Sequence, residues 1–183
     1  MSPGWAVSKF KKHNPLPDSD YVMRQVPYKL MERDADTDQV LGFLPGAFSH
    51  RLGEEYLSFG WLEYYGGTFL TNASQCKAAI QTVRKDKKAL HGVAQVGRTK
   101  TLAQHSEKLV RLVYYPNDKN QSHSALFIDH PAPESACEDL AREFFKQHYL
   151  ESLHQLWTHG DATLVFLPRK RQWIQKCINC ARH

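Results

Sequence analysis

Residues 54–65, EEYLSFGWLEYY, constrain the fold more than any other stretch of the chain. Read as a strand, they put Leu57, Phe59 and Trp61 on one face and Tyr56, Ser58, Leu62 and Tyr64 on the other, because successive side chains alternate across the pleat. Both faces are substantially apolar, which marks a central strand rather than an edge. Gly66-Gly67 ends it.

The neighbouring segments fall into place around that strand. Residues 21–30 read as a short strand interrupted at Pro27, and 34–53 as loop and turn. Asn72 has the place of an N-cap with Gln75 three residues on, and Cys76, Ile80, Val83, Lys87 and Leu90 follow at helical spacing. Lys85, Lys87 and Lys88 fill the last turns, where cations suit the helix dipole, and Gly92 supplies a left-handed cap. A short strand at 93–96 and a brief helix at 99–108 come next. Residues 109–115 and 122–129 then make a hairpin around a polar turn.

His130-Pro-Ala-Pro133 breaks the chain before a second long helix at 134–157, with Cys137, Leu140, Ala141, Phe144 and His148 on one stripe. Residues 162–167 read as a last strand. The closing RKRQWIQKCINCARH suits an amphipathic helix with Trp173, Cys177 and Cys180 inward. The expectation is an α+β fold: a single domain over 21–183 with a mixed β-sheet, two principal helices and a C-terminal amphipathic helix, preceded by an irregular basic arm at 1–20.

A chain of 183 residues buries a real core without disulfides or metals. Its four cysteines, Cys76, Cys137, Cys177 and Cys180, are too few and too unevenly spaced for a disulfide framework and read as buried reduced thiols. No apolar run reaches the ~20 residues of a membrane span, and the N-terminus lacks the apolar core of a signal peptide. A soluble cytoplasmic protein without a membrane role is expected.

The net charge of +5 hides a segregation of signs. Residues 32–63 hold seven acids and two bases; residues 77–111 hold nine bases and two acids. Interleaved signs are the usual solvated surface, so this pattern points to an anionic partner, nucleic acid or an acidic protein. The plain alternative is that the acidic and basic segments pack against each other. The expected phosphate contacts are Lys85, Lys87, Lys88, Arg98, Lys100, Arg169, Lys170 and Arg171, most of them near helix ends.

Three further constellations carry chemistry. His123 follows a turn containing Asp118, Asn120 and Ser122, and an imidazole oriented by a carboxylate can act as a general base. Glu63, on the apolar central strand, is the candidate carboxylate with a raised pKa. Cys177-x-x-Cys180-x-x-His183 has half the spacing of a zinc site but no second ligand pair. Asp34-x-Asp36-x-Asp38 resembles the start of an EF-hand loop, but Gln39 and Pro45 stand where glycine and the bidentate glutamate belong. A looser magnesium site is what remains of that pattern. No cofactor is expected, with zinc and magnesium as the two alternatives.

The strings EEYLSFGWLEYYGG and PNDKNQSHSALFIDHP resemble segments of small uncharacterised bacterial proteins, over roughly residues 55–130. The resemblance implies an accessory system such as a defence or toxin–antitoxin module and carries over no functional residue. The residues themselves favour a binding or accessory protein that engages nucleic acid or a partner protein through a basic surface. The alternatives are a hydrolase of nucleotide or nucleic acid with His123 as base and Asp118 or Glu63 as its partner, and a structural adaptor in a larger complex.

Overall fold

Along β1 (Tyr21–Val26), Val22 and Val26 are buried on one side, and Met23 and Gln25 on the other. That is the burial pattern of a strand covered on both faces. Pro27, which has no N–H for a ladder, follows it directly. The computed structural model describes residues 11–51, 53–105, 109–128 and 132–158, with side chains as far as residue 146. The other strands are β2 (Met31–Arg33), β3 (Val40–Phe43), β4 (Leu57–Trp61), β5 (Leu90–Gln95), β6 (Val110–Tyr114) and β7 (His123–Ile128). The helices are α1 (Phe69–Val83), α2 (Val96–Ala103) and α3 (Glu134–Thr158).

Five strands make one sheet in the order β5-β1-β4-β7-β6, and β2 and β3 make a separate hairpin. Every pairing is antiparallel. This is the α+β architecture expected, with β4 in the middle of the larger sheet. The chain divides into two compact units, Met1–Glu151 and Ser152–His183, and the seven strands among the described residues belong to the first. No helix among the described residues is long and apolar enough to cross a membrane.

Two apolar cores cover the two faces of the sheet. Met23, Val93, Ala73, Cys76 and Ile80 form the smaller, under α1. Gly60 belongs to that face because a Cβ there would stand 2.3 Å from the Cys76 sulfur. Val22, Leu57, Phe59, Trp61 and Ala94 form the larger core with Cys137, Leu140, Ala141 and Phe144 of α3. Those four belong to the stripe expected from the sequence; the side chain of its fifth member, His148, lies outside the described residues. Gly92 lets α3 approach β5: an added Cβ would lie 2.7 Å from the Phe144 carbonyl.

Several boundaries differ from the expectation, each for a tertiary reason. The central strand stops at Trp61, and residues Leu62–Tyr65 turn into a 3-10 helix closed by Gly66 at φ 69°. Glu63 is therefore not a strand residue. Its Oε2 accepts the Tyr21 N–H at 2.9 Å and ties the turn to β1. Helix α1 begins earlier than Asn72, with Thr68 as N-cap. Asn72 instead lies buried inside the helix and clamps Gly67, accepting its N–H at 2.8 Å and donating to its carbonyl at 3.2 Å.

The same helix ends at Val83, because the segment after it is recruited to pair with β1 along the whole of β5. Lys85, Lys87 and Lys88 thus lie in a loop, and Gly92 lies in a strand rather than at a cap. That loop is tied down by Asp86, which accepts the N–H groups of Tyr28 and Lys88. Helix α2 occupies Val96–Ala103 rather than 99–108. Within 34–53, expected to be loop, β3 forms the second arm of the small hairpin. Of the expected basic arm, residues 13–16 run beside β6, exchanging backbone hydrogen bonds with Leu112 and Tyr114, and Leu16 is buried. The strand expected at 162–167 and the C-terminal helix lie outside the described residues, as do Arg169, Lys170, Arg171, Cys177, Cys180 and His183.

Candidate functional site

The site arises where the two halves of the sheet part. Strands β1 and β4 share only two residue pairs, Val22↔Trp61 and Met23↔Gly60. Continuing that register would set Arg24 against Phe59 and Gln25 against Ser58, but these pairs are not made. The Ser58 carbonyl, deprived of a ladder partner, is satisfied by a side chain: Arg24 Nη1 donates to it at 2.8 Å. Nε of Arg24 donates to the Ala47 carbonyl at 2.7 Å, and the guanidinium lies over the rings of Phe48 and Phe59. An arginine thus fills the gap that the missing backbone pairing leaves.

Two recesses open along this gap. One is a cavity of about 180 Å³ lined by Met23, Phe59, Ile80 and Val83 on its apolar side, and by Gln25, Arg84, Asn117, Asn120 and His123 on its polar side. The other is narrow and almost wholly polar, with Arg24, Arg51 and Arg84 around it and Ser49 and Glu54 between them. Gln25, Tyr56, Ser58 and Arg84 line both, so the two recesses adjoin along the gap.

Positive charge dominates the narrow half. Burial, reinforced by Arg84 and Arg51 and opposed by Glu54, pushes the Arg24 pKa from 12.5 down to about 9. Among the described residues Arg24 makes no ion pair, and Glu54 reaches Arg51 only at 4.0 Å. His50 stands next in the chain to Ser49 and Arg51. Both its ring nitrogens are buried with no hydrogen-bond partner among the described residues, and burial lowers its pKa. The half-buried Arg24 guanidinium shares its recess with Glu54 but has no carboxylate at ion-pair distance among the described residues, and a cation so placed is costly to keep charged.

His123 controls the wider half. Its Nδ1 lies 2.5 Å from the Tyr115 carbonyl. A carbonyl only accepts, so Nδ1 carries the proton and Nε2 keeps its lone pair. Burial lowers the His123 pKa, with the Tyr115 hydrogen bond opposing, and the neutral form is favoured. Tyr56 packs edge-on against His123 and tilted against Tyr115 and Phe127, forming an aromatic wall.

The expected catalytic trio does not converge. His123 and Asn120 line the cavity, whereas Asp118 is exposed at the tip of the turn and Glu63 is engaged with Tyr21. The expected basic surface also divides. Arg98 pairs with Glu143 at 3.8 Å, and Lys100 pairs with Asp18, so two of its members are neutralised by acids of the fold itself. Lys85, Lys87 and Lys88 remain exposed on the loop that follows Arg84, with Lys88 over the Tyr28 ring.

The Asp34–Asp38 cluster is occupied by protein donors. Asp34 accepts from Asp36 and Thr37, and Asp38 accepts from Arg33 and Tyr28. Among the described residues no group of three metal-ligating side chains is arranged to hold an ion. Cys76 and Cys137 are buried free thiols, and burial pushes Cys76 up to about 12, far from a reactive thiolate.

Sequence reasoning passed over Arg24, Gln25 and Arg51. One signal was there to read: Arg24 falls between Val22 and Val26 on a face otherwise facing the core. A cation at an inward strand position calls for a partner. Comparisons with protein-family models, with curated proteins and with solved structures give no match, so the geometry of the cleft carries the functional reading.

Proposed function

We propose that this protein binds a phosphate-bearing ligand, a nucleotide or the end of a nucleic-acid strand, in the cleft between β1 and β4. The observation that carries this reading is the set of three guanidiniums around one recess, with Arg24 making no ion pair among the described residues. Arginine presents a planar fork of donors suited to phosphate oxygens, and Arg51 and Arg84 are exposed to an approaching ligand. Lys85, Lys87 and Lys88 extend the positive field beyond Arg84 and favour the approach of a polyanion.

The test is a titration with inorganic pyrophosphate and with a short 5′-phosphorylated oligonucleotide at two salt concentrations. Saturable, salt-sensitive binding that Arg24→Met and Arg84→Ala each weaken supports the reading. Binding that ignores both variants sinks it.

A hydrolase reading has one observation in its favour: His123, whose Nδ1 is given to Tyr115 and whose Nε2 keeps its lone pair, lines a cavity that adjoins the arginine recess. In that reading His123 takes a proton from water without Asp118 or Glu63. Turnover of a nucleotide that His123→Gln abolishes while leaving affinity intact is the result it requires.

A further inference from the structure

We infer that the wider half of the cleft is a seat for a nucleobase, so that the ligand is a nucleoside phosphate held base-first in the cavity with its phosphate among the arginines. The inference rests on the phosphate reading above and names the ligand class.

The argument turns on which polar atoms the fold leaves over. Asn117 Oδ1 accepts the N–H groups of Lys119 and Asn120, at 3.0 and 2.9 Å. Asn120 Oδ1 accepts from the N–H and the hydroxyl of Ser122, at 3.0 and 2.8 Å. A backbone N–H needs an oxygen opposite it, so both amides have their orientation set, and each is left with its NH2 group. Gln25 is set the other way: its Nε2 donates to the Arg84 carbonyl at 3.4 Å, leaving Oε1. His123 offers the lone pair of Nε2, because Nδ1–H is given to Tyr115.

These leftover groups, two amide donors from the β6–β7 turn and two acceptors, one from β1 and one from β7, belong to residues that line the cavity. That set is the complement of a planar group with acceptors on one edge and N–H donors on another, as every nucleobase has in some arrangement. The remaining walls suit it. Met23, Ile80 and Val83 are apolar, and Tyr56 supplies an aromatic ring. At about 180 Å³ the space is well below the ~300–1,000 Å³ of pockets for drug-sized ligands and holds one ring system, not a whole nucleotide. The sugar and phosphate must then lie outward, past Ser58 and Tyr56, which lead to the arginine recess.

The experiment is calorimetric titration of the full chain with the four ribonucleoside 5′-monophosphates, guanosine, ribose 5-phosphate, inorganic phosphate and a 5′-phosphorylated dinucleotide. At least one mononucleotide, or the dinucleotide, should bind about tenfold or more tightly than ribose 5-phosphate, the scale of one stacked and hydrogen-bonded base. Whether the mononucleotide or the dinucleotide binds more tightly decides between a free nucleotide and a strand end, and both outcomes support the seat.

Val83→Trp supplies the control. Val83 is 45% exposed, so the larger side chain is tolerated by the core while it fills the cavity wall. It should reduce nucleotide affinity to that of ribose 5-phosphate and leave inorganic phosphate binding unchanged. Equal affinities for nucleotides, ribose 5-phosphate and phosphate would overturn the nucleobase seat and leave the arginine reading standing. Mononucleotides that bind no more tightly than guanosine, with affinities that Arg24→Met does not touch, would keep the seat and overturn the arginine reading. Binding of none of them overturns both.

Discussion

Replacing Arg24 with methionine separates a ligand-binding cation from a structural plug. Methionine keeps an unbranched stem to pack on Phe48 and Phe59 and removes the charge. Two contributions then oppose each other. The Arg24 pKa is held down from 12.5 to about 9, and at about 1.4 kcal/mol per pH unit the empty fold bears up to about 5 kcal/mol for keeping the ion charged. That figure is an upper bound, because water in the open recess screens the charge. Against it stand the hydrogen bonds to the Ala47 and Ser58 carbonyls, each contributing about 1.5–3 kcal/mol when the donor is charged. The two nearly cancel, so ligand-free Arg24→Met should unfold in urea within about 1–2 kcal/mol of the parent protein.

With ligand present the balance changes. Pyrophosphate at about 100 times its Kd should stabilise the parent by about 2.7 kcal/mol, a Tm rise of roughly 5–10 °C in a domain of this size. Arg24→Met should show little of that rise in thermal scans over the same titration. A ligand-free loss of about 4 kcal/mol or more would make Arg24 a structural plug and refute the reasoning. A variant that keeps the full Tm rise would refute it equally.

Four further outcomes are expected. Burial holds the His123 pKa below 6.5, so the unfolded chain takes up a proton that the folded chain resists; stability should fall as pH drops from about 7 toward the folded-state value, and His123→Gln should flatten that slope in urea melts. His50 shifts in the same direction and should leave part of the slope in place. Gly60→Ala should cost about 1–3 kcal/mol, since its Cβ meets the Cys76 sulfur, and Cys76→Ala in the same chain should restore part of the loss in a double-mutant cycle. Reversing Lys85 and Lys88 should lower the salt slope of oligonucleotide binding, whereas Arg98→Gln and Lys100→Gln, whose partners are Glu143 and Asp18, should leave it unchanged. Breaking the exposed pair by Asp18→Asn should alter stability by less than about 1 kcal/mol in the same melts.

Patterns that depend on local periodicity were legible in the sequence. The β6–β7 hairpin, the α3 stripe and the Leu57–Phe59–Trp61 face of β4 follow from spacing alone, because burial imposes periods of two and 3.6 residues. What was not legible depends on residues far apart in the chain. The end of α1 is decided by β1, which takes residues 90–95 as a partner and overrides a helical pattern running to Leu90. Glu63 is drawn from the strand into a turn by the Tyr21 N–H, 42 residues away. His123 was visible as a candidate because the turn before it is crowded with polar groups. Arg84 stood in the basic run of residues 77–111, but its meeting with Arg24 and Arg51 was not legible, since the three come from separate segments joined only by the break in the sheet. The charge segregation was real in the sequence, yet part of it is spent on internal pairs such as Arg98–Glu143.

The short seam between β1 and β4 also bears on how such a chain tolerates change. With only two residue pairs across it, the cleft owes its existence to where pairing stops. Core substitutions that preserve volume leave that stopping point alone, so both apolar layers can drift in sequence without altering the pocket. An insertion or deletion in 27–56, the connection between these two strands, is another matter. If it let the ladder run on to Gln25 and Ser58, the gap would zip shut and the arginine would lose its place. Length, more than composition, is what this connection has to conserve.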